Sequence, residues 1–100
     1  MNYRIDFLSE AERDLNKLDR SVQIKVLKII KRISENPFTD KHLGKKAGID
    51  LSGYYKAYAD KKKIRIVYRV DDSTITVLIV AIGRRSDFEV YKKAAKRLIE

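Results

Sequence analysis

One hundred residues with 23 Lys+Arg against 14 Asp+Glu make one small basic domain of formal net charge +9, too short for two separate cores. That excess of cations favours a polyanionic partner, with nucleic acid or a ribonucleoprotein surface ahead of an acidic protein or a membrane. The absence of cysteine excludes disulfides, cysteine-ligated zinc and thiol nucleophiles, and no apolar run approaches the roughly 18 residues of a membrane span, so a soluble cytoplasmic protein without a signal peptide is expected.

Tyr3, Ile5 and Phe7 alternate with Asn2, Arg4 and Asp6, the period of a half-buried strand. Ser9-Glu10-Ala11-Glu12 reads as a capping box, the Ser9 hydroxyl accepting from the Glu12 amide. The helix it starts carries Ala11, Leu15 and Leu18 on one stripe. Asp19 is placed to cap a second helix from about Arg20 to Glu35, with Val22, Val26, Ile29, Ile30 and Ile33 on its apolar face and Ile24 and Leu27 widening it. Asn36-Pro37 stops it, because proline has no amide proton and disfavours helix in the residue before it. Together these segments predict a helical hairpin laid on a sheet.

No clean period survives from Asn36 to Gly53, among Pro37, Gly44, Gly48 and Gly53, and Leu43, Ile49 and Leu51 are the expected anchors of this long connection. Tyr54 to Ala59 resumes strand character, with Tyr54, Lys56 and Tyr58 on one face and Tyr55, Ala57 and Ala59 on the other. Asp60-Lys61-Lys62-Lys63 then turns into a hairpin of Ile64 to Val70, a turn at Asp71-Asp72-Ser73, and Thr74 to Ile82. In its first arm Ile64, Ile66, Tyr68 and Val70 share a packing face, while Arg65, Val67 and Arg69 share a face expected to carry cations. Val77 to Ile82 is apolar on both faces, which suits a central strand. A second capping box, Ser86-Asp87-Phe88-Glu89, opens a last helix with Phe88, Tyr91, Ala95 and Leu98 on one stripe and Lys92, Lys93, Lys96 and Arg97 opposite. The predicted fold is α+β: an N-terminal strand, a helical hairpin, a three-stranded antiparallel meander and a C-terminal helix, in one domain over residues 1–100.

Arg84 and Arg85 directly follow the buried strand, and Arg65 projects from its hairpin partner, an arrangement suited to anions because a guanidinium fork holds two phosphate oxygens. The plainer fates are a surface pair with Asp87 or the last helix for Arg85, and a cross-strand carboxylate for Arg65. The sole histidine, His42, sits in the long connection and reads as solvated, so no histidine pair serves acid–base work. Asp71 and Asp72 read as turn residues, and neither a metal site nor a cofactor is supported. The stripe position of Tyr91 marks it as core.

At Gly53-Tyr54-Tyr55-Lys56, at Ile64 to Val70, and at Val80-Ala81-Ile82-Gly83-Arg84-Arg85 through Glu89-Val90-Tyr91, the sequence closely resembles the RelE/ParE superfamily of bacterial and archaeal toxins, over nearly the whole chain. The resemblance implies a microbial-RNase-like fold, a twisted antiparallel sheet with helices on one side. For the RelE branch it implies a type II toxin that cuts messenger RNA in the ribosomal A site by attack of the 2′-hydroxyl, without metal or cofactor. The implied partners are the ribosome, its message and a cognate RelB-like antitoxin presenting an acidic amphipathic segment. Carried over by position, the catalytic set falls on Lys56, Arg65, Arg85 and Tyr91, with Tyr91 orienting or deprotonating the 2′-hydroxyl or stacking on a base. Lysines crowded among arginines lose protons more readily, which makes Lys56 a usable base. Lys45, Lys46, Tyr58, Lys61, Lys62, Lys63 and Arg84 are the expected contacts to RNA and ribosome. Two departures reduce positive charge: a second strand lysine of well-known RelE members is Tyr58 here, and a further basic residue is Asp87. Two other classes stay open, a ParE-like inhibitor of DNA gyrase without nuclease activity and a basic RNA-binding module without catalysis.

Overall fold

The alternating segments from Tyr54 onward pair as the expected meander, and the N-terminal strand joins its far edge. The computed structural model describes residues 2–46, 49–84 and 89–99. In chain order it contains β1 (Arg4–Phe7), α1 (Ser9–Asn16), α2 (Arg20–Glu35), β2 (Lys41–His42), β3 (Lys45–Lys46), β4 (Ile49–Asp50), β5 (Tyr54–Ala59), β6 (Ile64–Asp71), β7 (Thr76–Arg84) and α3 (Glu89–Ile99). The main sheet runs β1-β7-β6-β5-β2, and β3 pairs with β4 in a small ribbon, so the long connection is organised by three two-residue strands. The second capping box lies outside the described residues except for Glu89.

Two features depart from the fold implied by the resemblance. The sheet is mixed, because β1 pairs parallel with β7, from Arg4 opposite Thr76 to Phe7 opposite Ile79. The Tyr3 amide donates to the Ser34 carbonyl at 2.7 Å and the Arg4 amide to the Ile75 carbonyl at 2.9 Å, which ties β1 between the end of α2 and the start of β7. Helices also cover both faces of the sheet. Ala11, Val26, Ile30 and Ile33 of α1 and α2 pack on Ala57, Ile64, Ile66, Tyr68, Val77 and Ile79. Tyr91 and Ala94 of α3 pack on the opposite face with Leu43, Leu51, Val67, Val80 and Ala81. The face expected to carry cations is therefore a second core, and fully burying each of its aliphatic side chains contributes about 1.5–3 kcal/mol.

A bulge midway along the hairpin sets the register beyond it. Tyr68 opposes Ile79 but Val67 opposes Ala81, so Val80 is an extra residue on β7. Val77, Ile79 and Ile82 consequently face the helical hairpin, whereas Val80 and Ala81 face α3. Beyond the bulge Gly83 stands opposite Arg65, and Arg84 opposite Ile64.

Helix starts differ from the sequence expectation. The Leu8 amide bonds the Ile79 carbonyl at 3.0 Å, so the chain passes from β1 into α1 with Leu8 at the N-cap, and the Ser9 hydroxyl bonds Glu10 instead of capping. Asp19 holds the N-cap of α2 without a side-chain cap bond. Ile24 and Leu27 do not widen the buried stripe; they are 49% and 46% exposed. At the other end of α2, Arg32 donates to both Asp40 oxygens at 2.7 and 2.8 Å, and the Tyr68 hydroxyl lies 2.6 Å from the Pro37 carbonyl and 2.7 Å from Asp40 Oδ2. This network pins the segment after α2 to the sheet. Burial, then the bond to Asp40, pushes the Tyr68 hydroxyl well above the usual tyrosine pKa.

The parallel partner of β7 covers it only as far as Ile79. Past that point the open edge is closed by side chains: Asp14 Oδ2 accepts from the Ile82 amide at 3.1 Å, and Arg97 Nη1 donates to the Val80 carbonyl at 2.7 Å. Arg97 also donates to Asp14 at 2.8 Å, so one buried ion pair joins α1, β7 and α3.

Candidate active site

The turn preceding β5 is built on Gly53, whose φ of +86° suits glycine, and whose amide donates to His42 Nε2 at 2.9 Å. His42 is thus exposed but partnered, and it also meets the Tyr55 ring edge-on at 5.1 Å; it supports the turn into β5 and stands apart from the basic cluster. Along β5 the strand period sends Tyr55, Ala57 and Ala59 into the core beneath the helical hairpin. Lys56 and Tyr58 therefore share the face toward α3.

Across the sheet Tyr58 is paired with Arg65 of β6. Arg65 is only 7% exposed, and its guanidinium carbon lies 5.8 Å from the Tyr58 ring centre and 4.4 Å from that of Tyr91. The Lys56 ammonium lies 5.2 Å from the Tyr58 ring centre. Three elements, β5, β6 and α3, thereby bring four of the singled-out side chains together. Tyr91 is both core, at 3% exposure, and a member of the cluster.

The cross-strand carboxylate that would make Arg65 a structural residue is absent among the described residues, and its Nε is buried without a hydrogen-bond partner. Contact with an aromatic face gives a cation about 0.5–2 kcal/mol. Removing a charge from water costs several kcal/mol, so the two rings offset only part of the burial of Arg65. An incoming anion can supply the rest.

The side chain whose acidity this cluster changes is Tyr58. Hydrogen bonding from Lys56 favours the phenolate, burial opposes it, and Arg65 adds a second hydrogen bond; the net result lowers the Tyr58 pKa to about 8. Sequence reasoning offered both Lys56 and Tyr91 as groups to take the 2′-hydroxyl proton and treated Tyr58 as a contact residue.

The remaining predicted contacts lie elsewhere. Lys62, Lys63 and Arg84 line a cleft of about 700 Å³ on the side of the helical hairpin, together with Lys17, Leu18, Asp19, Val22, Asp60 and Ile64. Asp60, Lys61 and Lys62 are all left-handed, with φ of 52°, 54° and 67°, which keeps that turn tight without glycine. Lys61 is exposed, Lys45 is exposed in β3, and Lys46 has its backbone in β3 with its side chain outside the described set. Arg85 and Asp87 lie outside the described residues. Sequence reasoning missed Asp14, although it falls between Ala11 and Leu18 on the inward stripe of α1, where a carboxylate needs a buried partner.

Fold and cluster define a small basic α+β domain with a guanidinium, an ammonium and two tyrosine rings gathered on the α3 face of its sheet. The profile of the ParE toxin of type II toxin–antitoxin system, parDE, matches residues 5–87. The chain is 29% identical over 99 residues to the mRNA interferase toxin RelE of Escherichia coli (strain K12), covering 99% of this chain and 100% of that protein. It superposes on the structure of E. coli toxin RelE in the free state with TM-score 0.77 at 28% identity, covering 98% of this chain and 99% of that one. It also matches a chain of the toxin–antitoxin complex RelBE2 from Mycobacterium tuberculosis, with TM-score 0.72 at 29% identity over 87% of this chain and 95% of that one. The chain belongs to the RelE/ParE superfamily of type II toxins.

Proposed function

We propose that this chain is an endoribonuclease toxin that cuts messenger RNA in the ribosomal A site and is held inactive by a cognate antitoxin. The observation that carries this reading is the buried Arg65, in contact with Tyr58 and Tyr91 beside Lys56 and with its Nε unpartnered among the described residues, in a chain matched end to end by a protein named as an mRNA interferase. Cleavage by the RNA's own 2′-hydroxyl needs a base, cations for the charge developing on phosphate and a proton for the departing 5′-oxygen. Arg65 supplies the fork for the phosphate oxygens, Tyr91 holds its plane, and Lys56 and Tyr58 supply groups that exchange protons. Arg85, assigned by the resemblance, adds a second guanidinium. No metal or cofactor enters this scheme.

The ribosome is the substrate platform that best fits lysines and Arg84 spread beyond the cluster, since phosphate contacts fix register on RNA without reading sequence. The antitoxin is a RelB-like chain whose acidic amphipathic segment complements the net charge of +9, in line with the solved RelBE2 complex. Action on ribosomes places the toxin in the cytoplasm, and no helix among the described residues is long and apolar enough to cross a membrane.

Purified protein incubated with programmed ribosomes is expected to produce message ends within the A-site codon, and Arg85→Ala to abolish them while leaving the thermal melt unchanged. Intact message at saturating protein rejects the proposal. The match to a ParE profile favours a second reading, inhibition of DNA gyrase, for which supercoiling assays would show cleaved DNA complexes while message stays whole. Tight, steeply salt-dependent RNA binding without cutting marks the non-catalytic module instead.

A further inference from the structure

We propose that Tyr58 is the catalytic residue that takes the proton from the attacking 2′-hydroxyl, an assignment that rests on reading the chain as an mRNA-cleaving toxin. The geometry singles it out within the cluster. The Arg65 guanidinium carries hydrogen-bond donors and no acceptor. Tyr91 is 3% exposed and lies under the Arg65 guanidinium. Lys56 is the group that protonates the departing 5′-oxygen in this scheme, so it is not also the base. Tyr58 is half-buried, stands opposite Arg65 across the β5–β6 ladder and has the Lys56 ammonium 5.2 Å from its ring centre, so both cations act on its oxygen.

Among the described residues, the charged groups that set its ionisation are Lys56 from its own strand and Arg65 from the neighbouring one, while α3 contributes the ring of Tyr91 against Arg65. With its pKa brought to about 8, about one molecule in ten carries the phenolate at pH 7, against about one in a thousand for an ordinary tyrosine. That fraction suits a general base, whose best pKa lies near the working pH.

In the step itself the Tyr58 oxygen accepts the 2′-hydroxyl proton as the 2′-oxygen forms a bond to phosphorus. The bond from phosphorus to the 5′-oxygen breaks, the Lys56 ammonium gives that oxygen its proton, and Arg65 faces the non-bridging oxygens. The products are a 2′,3′-cyclic phosphate and a 5′-hydroxyl. Proton transfer from the Tyr58 hydroxyl to the neutral Lys56 amine, its hydrogen-bonding neighbour, restores both groups.

The test is single-turnover cleavage on programmed ribosomes between pH 6 and 9, run with wild type and Tyr58→Phe, alongside absorbance titration of the tyrosines in the free proteins. The wild-type rate is expected to rise tenfold per pH unit and level near pH 8, and one tyrosine to ionise over the same range. Tyr58→Phe, which keeps the ring and its packing, is expected to cut about a hundredfold or more slower, to lose the rising limb and to lose that titration step. Wild-type cutting that Tyr58→Phe leaves unchanged in rate and pH profile overturns the assignment of Tyr58 alone. No cutting by wild type at saturation overturns the nuclease reading itself.

Discussion

The two faces of the sheet are built to different ends. Under the helical hairpin, Val26, Ile33, Ile66, Val77 and Ile79 are fully buried, and the polar atom that enters there, the Tyr68 hydroxyl, is matched by Pro37 and Asp40. Under α3 the core is smaller, and beside it lies a buried guanidinium whose Nε has no partner among the described residues. One face satisfies what it buries; the other leaves one guanidinium nitrogen without a partner among the described residues.

Substitutions sharpen this contrast, the largest effect arising where the faces are joined. Asp14→Ala leaves the buried Arg97 without its carboxylate and the Ile82 amide without its acceptor. It should lower unfolding free energy by about 3–5 kcal/mol in urea titration. On the hairpin face, Ile33→Ala opens a cavity in a fully buried site and should cost about 2–5 kcal/mol by the same measurement. Tyr68→Phe keeps the ring stacked on Tyr55 but removes the hydroxyl from Pro37 and Asp40, for a loss of about 1–3 kcal/mol. Leu27→Gln, at an exposed position of α2, should stay within about 0.5 kcal/mol of wild type, and a larger loss would mean that the stripe is wider than the fold indicates.

How far the sequence carried is visible in the same contrast. Period alone located the meander, the helical hairpin and the faces of β5, because alternation and the 3.6-residue stripe are local consequences of burial. It could not locate the bulge at Val80, since a run apolar on both sides reads the same with or without an extra residue. The pairing of β1 and the side taken by α3 depend on chain segments far apart, and neither leaves a local signature. Ile24 and Leu27 were misassigned because a stripe's width follows from what packs against it. In the cluster, Lys56, Arg65 and Tyr91 were legible through the resemblance. The acidity of Tyr58 was not, because it comes from two cations that only the fold sets beside it.

The account depends most on Arg65 being held for a ligand and not for the fold. Its direct test is Arg65→Met, a volume-matched apolar replacement, assayed in parallel for A-site cleavage and for thermal stability. Cleavage should fall by about 10²–10³, the usual result of removing one preorganised group that faces developing charge. The melting temperature should hold or rise, because a buried charge without a carboxylate partner has been removed. A variant that unfolds at lower temperature yet cuts message at the wild-type rate would contradict the account.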